Sequence, residues 1–230
     1  MNIYAIICTR DRNKVTSTTD KLLTFLCAAN VKIFMLSGAK SIFSAYQGAF
    51  EKINPEKEDI VIFCHDDIEI RENPAEFVEK LRNSFSAPEV GFVGAAGTMS
   101  LGPDAVWWDQ ERWQQAKHRG VVTHVDPKGK EYVTPYGPPG DVVTLDGLFF
   151  AAKRKVIDAV GLDKPTYFEG EWDFYDIHYT SQAFLKGFTN KVMDIKIFHN
   201  SRGELVGRDS WHKNREAFIA NNDLPIEIID

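Results

Sequence analysis

Two adjacent carboxylates directly follow an apolar run near the middle of the chain. The run at residues 60–64 (IVIFC) leads into His65, Asp66 and Asp67. Because neighbouring residues of an extended chain project to opposite sides, one carboxylate can face a hard divalent cation while the other binds a hydroxyl or an amide. An isolated Asp-Asp pair more often begins a solvated loop. Further groups must therefore support a metal site at this point.

Three residues further along the chain could complete such a site. Asp173 and Asp176 lie three apart on one face of a helix predicted over 173–186, and His199 ends an apolar strand. Asp173 alone is typical of a helix N-cap or of a charge that favours the helix dipole. Asp176 has two aromatic neighbours, and burial among them would raise its pKa towards that of a useful general base. A lone histidine is more often a core residue, but His199 could join the carboxylates as a metal ligand.

Alternating apolar segments predict the framework that positions these residues. Strands are expected at 2–8, 31–36 and 59–64, with helices at 21–26 and 41–53 between them. This β-α-β-α-β order predicts a parallel sheet with right-handed crossovers. In such sheets ligands collect beyond the carboxyl ends of the strands, and Asp66 and Asp67 follow the third strand at that kind of position.

The second half of the chain predicts further strands and helices, interrupted by one long segment. The expected elements are a helix from Pro74 capped by Asn73, strands at 90–96 and 142–145, a helix at 153–160, a strand at 191–198 and a helix at 211–220. Residues 97–140 break the pattern and are expected to form an insertion with a hairpin near 127–130. Insertions of this length are often lids or binding loops.

The insertion is rich in aromatic residues. They could bind an acceptor sugar or merely pack together as a small core, and the sequence does not choose between the two. These residues are Trp107, Trp108, Trp113, Tyr132 and Tyr136.

Composition limits the class of protein. With 230 residues, 43% of them hydrophobic, the chain is expected to form a single α/β domain over 1–230, with a C-terminal helical tail at 205–230. A net charge of -6 and a pI near 5.6 argue against a nucleic-acid surface. No apolar stretch approaches the ~20 residues of a membrane span, which leaves only peripheral membrane contact. Three cysteines without paired spacing are typical of a reducing compartment, so a cytoplasmic location is expected.

Five ordered segments together resemble a known family. They are IYAIICTRDR, VIFCHDDIEI, VTLDGLFFAAKRKVIDAVG, FYDIHYTSQAFLKGF and KIFHNSRG, and they span most of residues 2–205. The set is similar to family-2-type glycosyltransferases of the GT-A fold, and more narrowly to a small bacterial glycosyltransferase-like group with HDD and FYD elements. The resemblance implies an α/β fold whose mostly parallel central sheet is flanked by helices.

The same resemblance implies an inverting, metal-dependent transferase of the hexosyltransferase type. Such an enzyme moves a sugar from a nucleoside-diphosphate sugar, with UDP as the favoured nucleotide, to a hydroxyl of a saccharide or glycolipid acceptor. The product belongs to polysaccharide or glycoconjugate synthesis, and the cofactor is Mn²⁺ or Mg²⁺.

The resemblance also assigns roles to single residues. In the HDD element, Asp67 contacts the metal and its neighbour Asp66 the nucleotide. His199 falls where many relatives have a histidine that binds the metal or the diphosphate. Asp176 falls where they keep the carboxylate that deprotonates the acceptor hydroxyl.

Four further residues match the donor-binding segments of the family. Asp146 and Gly147 match a segment that lines the sugar pocket, and Thr9 and Arg10 end the strand that abuts the nucleobase. The resemblance therefore implies a donor site assembled from the first strand and from the segment near residue 146.

Two departures from the family pattern keep other functions open. His178 stands two positions after the expected base, where an acidic residue is common, and Gln47 replaces a common asparagine. A non-catalytic sugar- or nucleotide-binding module would fit such losses. A nucleotidyltransferase is less consistent with the sequence, because residues 9–15 contain no glycine to cradle a triphosphate. A hydrolytic metalloenzyme would normally have a second histidine at close spacing, and the sequence has none.

Overall fold

The computed structural model describes residues 1–9, 16–201 and 208–229, which form seven helices and fifteen strands. The helices are α1 (Ser17–Ala28), α2 (Ile42–Ile53), α3 (Pro74–Ser84), α4 (Gln110–Gln114), α5 (Arg154–Val160), α6 (Tyr175–Leu185) and α7 (Asp209–Asn221). The strands are β1 (Ile3–Thr9), β2 (Lys32–Ser37), β3 (Ile60–Cys64), β4 (Ile68–Ile70), β5 (Val90–Gly94), β6 (Ala96–Thr98), β7 (Ser100–Leu101), β8 (His118–Val125), β9 (Glu131–Gly137), β10 (Gly140–Val142), β11 (Thr144–Leu145), β12 (Phe149–Lys153), β13 (Thr189–Val192), β14 (Ile197–His199) and β15 (Ile226–Glu227).

The central sheet has seven strands in the order β10-β13-β5-β12-β3-β1-β2. The β1–β2, β1–β3 and β5–β13 pairs are parallel, and β12 is antiparallel to both β3 and β5. Five of the strands therefore run in one direction, with β12 and the edge strand β10 reversed. All five residues of β3 are buried, as expected of a strand covered on both faces. The mostly parallel α/β fold predicted from the sequence is confirmed.

Side-chain caps fix the starts of two helices beside this sheet. Asn73 Oδ1 accepts hydrogen bonds from the amides of Ala75 (2.9 Å) and Glu76 (3.3 Å), and Pro74 is the first residue of α3. Ser41 caps α2 through the amide of residue 44. The predicted Asn73 cap is thus confirmed. Among the described residues, every helix is too short or too polar to cross a membrane.

The second sheet has the strand order β11-β6-β8-β14-β4, and β9 pairs with β8. The β8–β9 hairpin turns at Asp126, whose Oδ1 accepts from the amides of Lys128 and Lys130, both at 2.8 Å. The hairpin predicted near 127–130 is therefore present. The segment 97–140, expected as an insertion loop, supplies β8, β9 and most of β6 to this sheet. The division of the chain into a single domain with an insertion at 97–140 and a tail at 205–230 stays a prediction.

The chain crosses from the first sheet to the second between β13 and β14. The sequence predicts one strand over 191–198, but β13 ends at Val192 and β14 begins at Ile197. β13 pairs with β5 in the central sheet, whereas β14 pairs with β4 and β8 in the second. The prediction of one continuous strand is wrong, because alternation along the chain cannot show that successive segments pair with different sheets.

Candidate active site

Strand ends and helix starts converge on one cleft of about 630 Å³. Thr9, at the end of β1, lines this cleft, and Arg10 lies outside the described residues. Two groups of side chains dominate the lining. The polar cluster consists of His65, Asp66, Asp67, Asp146, Asp176 and His199. The aromatic cluster consists of Trp107, Trp108, Trp172, Phe174 and Trp211.

Each sheet places one histidine beside Asp67: His65 follows β3 of the central sheet, and His199 ends β14 of the second. β14 pairs antiparallel with β4, so His199 lies opposite Ile68, and the amide of Asn200 donates to the Asp67 carbonyl (2.8 Å). Asp67 Oδ1 lies 3.4 Å from His199 Nε2 and 3.8 Å from His65 Nδ1. One ligand atom from each of the three side chains lies within 4.8 Å of the other two. The three residues thus converge on one point.

This group is chemically suited to a divalent cation. Asp67 Oδ1 is buried and accepts no hydrogen bond within the described residues, its 3.4 Å distance from His199 being that of an ion pair. Burial acts to raise the pKa of Asp67, but the two imidazoles more than offset this and lower it. Burial lowers the pKa of His65, whereas the Asp67 carboxylate overrides burial at His199 and raises its pKa. A carboxylate and imidazole nitrogens form a ligand set that transition-metal cations accept.

His65 is the member of this group that sequence reasoning missed. The sequence assigns the metal to Asp67 and His199 and leaves His65 without a role. Its spacing of two from Asp67 is the signal that could have found it, since alternate residues of a chain leaving a strand project to one side. The His65 amide donates to the Leu148 carbonyl (3.0 Å), which fixes the backbone at the carboxyl end of β3.

Asp176 lies in the first turn of α6, and a backbone amide holds its carboxylate. Gly147 N donates to Asp176 Oδ2 (2.8 Å). A Cβ at Gly147 would collide with the side chains of Asp176 and Tyr175, so a glycine is needed there. Burial, and after it the charge of Asp146, raises the pKa of Asp176 to about 7. A carboxylate with this pKa can take up and release a proton near neutral pH, as a general base must.

Asp173 contacts the C-terminal helix instead of capping α6. Phe174 adopts a left-handed backbone conformation (φ 66°), and α6 begins only at Tyr175. The Asp173 carboxylate accepts from Ser210 Oγ (2.7 Å) and lies 3.6 Å from the Arg208 guanidinium. The N-cap prediction for Asp173 is wrong, because the left-handed residue separates it from the helix.

The aromatic cluster joins the 97–140 segment to α7. Ring centroids are 5.9 Å apart for Trp108 and Trp211, and 5.4 Å apart for Phe174 and Trp211. Trp107 is only 1% exposed and lies 5.8 Å from Trp108. Trp107 and Trp108, predicted as acceptor-binding residues, therefore reach the cleft. Trp172 and Trp211 also line it and were not singled out by the sequence.

The other aromatic residues of the 97–140 segment pack against one another, and Tyr136 also packs against Trp107. Trp113 and Tyr136 have ring centroids 5.2 Å apart, and both pack against the buried ring of His118. Tyr132 lies on His124, with 5.5 Å between centroids. None of Trp113, Tyr132 and Tyr136 belongs to the cleft lining. For them the structure favours the alternative of a small core.

The two departures from the family pattern lie outside the polar cluster. Gln47 is on α2 and donates to Glu51 (3.0 Å) of the same helix. His178 packs against Phe168, with 5.9 Å between ring centroids, and burial lowers its pKa to about 4. Neither residue lines the cleft.

Almost the whole chain matches one sequence family. The profile of a glycosyltransferase-like family covers residues 5–221. The chain belongs to this family. Among curated proteins, this chain is similar to the streptomycin biosynthesis protein StrF of Streptomyces griseus, with 29% identity over 188 residues, or 79% of this chain. The chain spans 61% of the length of that relative.

Solved structures show the same architecture. GalNAc-T7 with UDP, GalNAc and Mn²⁺ aligns at a TM-score of 0.56 and 11% identity, over 91% of this chain and 44% of that protein. A197 from STIV aligns at a TM-score of 0.51 and 14% identity, over 87% of this chain and 86% of that protein. At these identities the likeness concerns the fold alone. The GT-A fold expected from the sequence is confirmed.

Proposed function

We propose that this chain is a metal-dependent inverting glycosyltransferase. It moves a sugar from a nucleoside-diphosphate sugar, with UDP as the nucleotide, to a hydroxyl of a saccharide or glycolipid acceptor. The observation that carries the proposal is the presence, in one cleft, of the convergent His65, Asp67 and His199 and of Asp176 with its pKa of about 7. Membership of a glycosyltransferase-like family supports the same reaction class.

The cation, Mn²⁺ or Mg²⁺, would be held by His65, Asp67 and His199. When bound, such a cation neutralises the charge that develops on the diphosphate leaving group. The chain presents two imidazoles and one buried carboxylate oxygen towards a common point, and this oxygen has no hydrogen-bond donor among the described residues. Asp66, the neighbour of Asp67 in the cleft lining, would bind the nucleotide.

Asp176 would accept the proton of the attacking acceptor hydroxyl. The hydrogen bond from Gly147 N keeps Asp176 Oδ2 in place before the acceptor arrives. Burial and the nearby Asp146 both favour the protonated carboxyl, so the proton taken from the hydroxyl is held more firmly than by an exposed aspartate. Attack and departure in a single displacement invert the configuration at the anomeric carbon.

Donor and acceptor contacts would be divided between the two clusters. Thr9 and Arg10 would lie at the nucleobase, and Asp146 and Gly147 at the donor sugar. Thr9 and Asp146 line the cleft, which supports these assignments. Trp108 offers an aromatic face in the same cleft, of the kind that packs against the apolar face of an acceptor sugar.

We also propose a cytoplasmic role in polysaccharide or glycoconjugate synthesis, with peripheral membrane contact where the acceptor is a glycolipid. None of the three cysteines forms a disulfide, which supports a reducing compartment. They are Cys8, Cys27 and Cys64.

The metal-dependent donor site can be tested by thermal unfolding. UDP and Mn²⁺ are suitable probes, since both occur in the GalNAc-T7 structure of similar fold. At a hundredfold excess over the dissociation constant, UDP with Mn²⁺ should stabilise the native state by about 2.7 kcal/mol, and much less in the presence of chelator. Asp67→Ala should remove the metal-dependent part, whereas Asp158→Ala, at an exposed ion pair on α5, should keep it. Equal shifts with and without metal would overturn the metal assignment.

A second measurement separates an enzyme from a binding module. A glycosyltransferase should slowly release free sugar from a UDP-sugar in the absence of acceptor, because water can replace the hydroxyl. A binding module should hold the nucleotide without such release. Sugar release that is absent from the wild-type protein with every common UDP-sugar would favour the module.

A further inference from the structure

The hydroxyl of Tyr175 bridges the two halves of the polar cluster. Tyr175 is the first residue of α6 and is only 5% exposed. Its hydroxyl oxygen lies 2.8 Å from His65 Nε2 and 3.3 Å from the carbonyl oxygen of Gly147. Gly147 in turn holds Asp176 through its amide. One phenol group is therefore in hydrogen-bond range of the candidate metal ligand and of the residue that positions the candidate base.

The number of protons available decides how these contacts are made. A phenol has one proton to donate, and a carbonyl oxygen can only accept. If Tyr175 donates to Gly147 O, the short contact to His65 requires that His65 Nε2 carries a proton and donates it to the phenol oxygen. If Tyr175 instead donates to His65, Gly147 O accepts no hydrogen bond from Tyr175.

The other ring nitrogen of His65 favours the first arrangement. His65 Nδ1 lies 3.8 Å from Asp67 Oδ1, too far for a hydrogen bond. A proton on Nδ1 could therefore not be donated to Asp67, whereas a proton on Nε2 is donated to the Tyr175 oxygen. The arrangement with the proton on Nε2 makes both Tyr175 contacts and leaves the lone pair of Nδ1 facing Asp67 and His199.

We propose that Tyr175 is a positioning residue that keeps His65 protonated at Nε2 and so presents its Nδ1 lone pair to the metal site. The metal side of this inference rests on the proposed function. Hydrogen bonds behind a histidine ligand generally fix its tautomer and ring orientation, and their loss typically weakens metal binding about 10- to 100-fold. Tyr175 would do this from the same helix turn that carries Asp176, so the start of α6 orients both halves of the site.

The tautomer can be read directly in metal-free protein. Long-range ¹H–¹⁵N spectra of protein labelled in its histidines distinguish a ring protonated at Nε2 from one protonated at Nδ1, and a His65→Gln variant assigns the signal. The expected result at pH 8 is Nε2 protonation in the wild type and a mixture of tautomers in Tyr175→Phe. This readout needs neither metal nor substrate.

Metal affinity provides the second readout. Titration with Mn²⁺ in the presence of UDP should show about 10- to 100-fold weaker Mn²⁺ binding for Tyr175→Phe than for the wild type. Tyr179→Phe is the matched control, since Tyr179 is one turn further along α6 and its buried hydroxyl donates to the Leu162 carbonyl (2.7 Å). The control loses a buried hydrogen bond of the same kind but should keep both the His65 tautomer and the Mn²⁺ affinity.

The outcomes distinguish this inference from the proposed function. A wild-type His65 protonated at Nδ1 overturns the inference, even if Tyr175→Phe proves too unstable to study. Unchanged Mn²⁺ affinity in a folded Tyr175→Phe variant also overturns it, and leaves the proposed function standing. A wild-type protein that binds no Mn²⁺ with UDP overturns the metal role in the proposed function, and the metal side of this inference with it.

Discussion

The polar and aromatic clusters line one cleft but are held in place by different interactions. The polar side chains stand on strand ends and on the first turn of α6. Backbone groups hold them there: Gly147 N donates to the Asp176 carboxylate, and Asn200 N donates to the Asp67 carbonyl and fixes the backbone of Asp67. The aromatic rings are fixed by packing against one another across the 97–140 segment, the start of α6 and α7. Directional contacts therefore position the charges, and close packing positions the rings.

Substitutions in the two clusters should therefore have different effects, on turnover in one and on stability in the other. A polar side chain at the end of a strand can be replaced by a similar shape without opening the core, because the strand beneath it is unchanged. A ring that packs between elements cannot, because its removal leaves a cavity. We therefore expect polar substitutions to alter turnover and aromatic substitutions to alter folding, with Trp108 as the informative intermediate.

The largest effect is expected at the candidate base. Asp176→Asn keeps the shape of the side chain and an oxygen that accepts from Gly147 N, but it cannot take a proton. Transfer should fall by roughly 10²- to 10⁴-fold, while UDP affinity is retained. The measurements are turnover with an identified acceptor and UDP binding by calorimetry. An active Asp176→Asn enzyme would place the base at another carboxylate.

The pKa of Asp176 also predicts how turnover and stability depend on pH. With a pKa of about 7, Asp176 is the base only when deprotonated, so turnover should rise with pH below about 7 and level off above it. The native pKa lies above the ordinary value of 3.8, so the native state retains a proton that the unfolded chain has lost, and stability falls as pH rises between the two. Asp176→Asn should thus be more stable than the wild type at pH 8 and similar to it near pH 4, by urea unfolding. A higher wild-type stability at pH 8 would contradict the raised pKa.

The next largest effect concerns the aromatic cluster. Trp107 is 1% exposed, so Trp107→Ala should lower the free energy of unfolding by about 3–5 kcal/mol. Trp108 is half-buried at the cleft, and Trp108→Ala should mainly lower kcat/KM for the acceptor, by about tenfold. Urea unfolding and acceptor kinetics check the two variants separately. If Trp108→Ala changes only stability, the whole aromatic cluster is structural.

The sequence could predict the polar cluster better than the aromatic one for a physical reason. Asp66 and Asp67 end a strand whose apolar run is visible in the chain, and strand ends in a parallel sheet meet at one edge. Trp211 is held at the cleft by packing against Trp108 and Phe174, which are distant from it in the chain. No local periodicity records such a contact. His65 could have been predicted from the sequence, because it lies two residues before Asp67.

The same limit applies to the fold. The β-α-β-α-β order and the Asn73 cap are local, and the sequence predicts both. The reversed direction of β12 and the change of sheet between Val192 and Ile197 depend on which strands pair, and apolar patterns carry no information on pairing partners. The exclusion of Asp173 from α6 follows from the backbone of Phe174, whose left-handed conformation is unusual for a residue other than glycine.

The smallest effect on turnover is expected at Asp173. This carboxylate lines the cleft, but its contacts join α6 to the start of α7. Its side chain is 1% exposed and joins Ser210 and Arg208 to the start of α6. Asp173→Ala should lower the free energy of unfolding by about 1–3 kcal/mol, since it leaves the part-buried Ser210 hydroxyl and the Arg208 cation without their partner. Ser210→Ala should cost less, and Asp163→Ala, at an exposed position, should have little effect. Turnover of folded Asp173→Ala should fall far less than that of Asp176→Asn, because the proton acceptor is intact. A larger loss of turnover in Asp173→Ala than in Asp176→Asn, at equal stability, would exchange the roles of the two carboxylates.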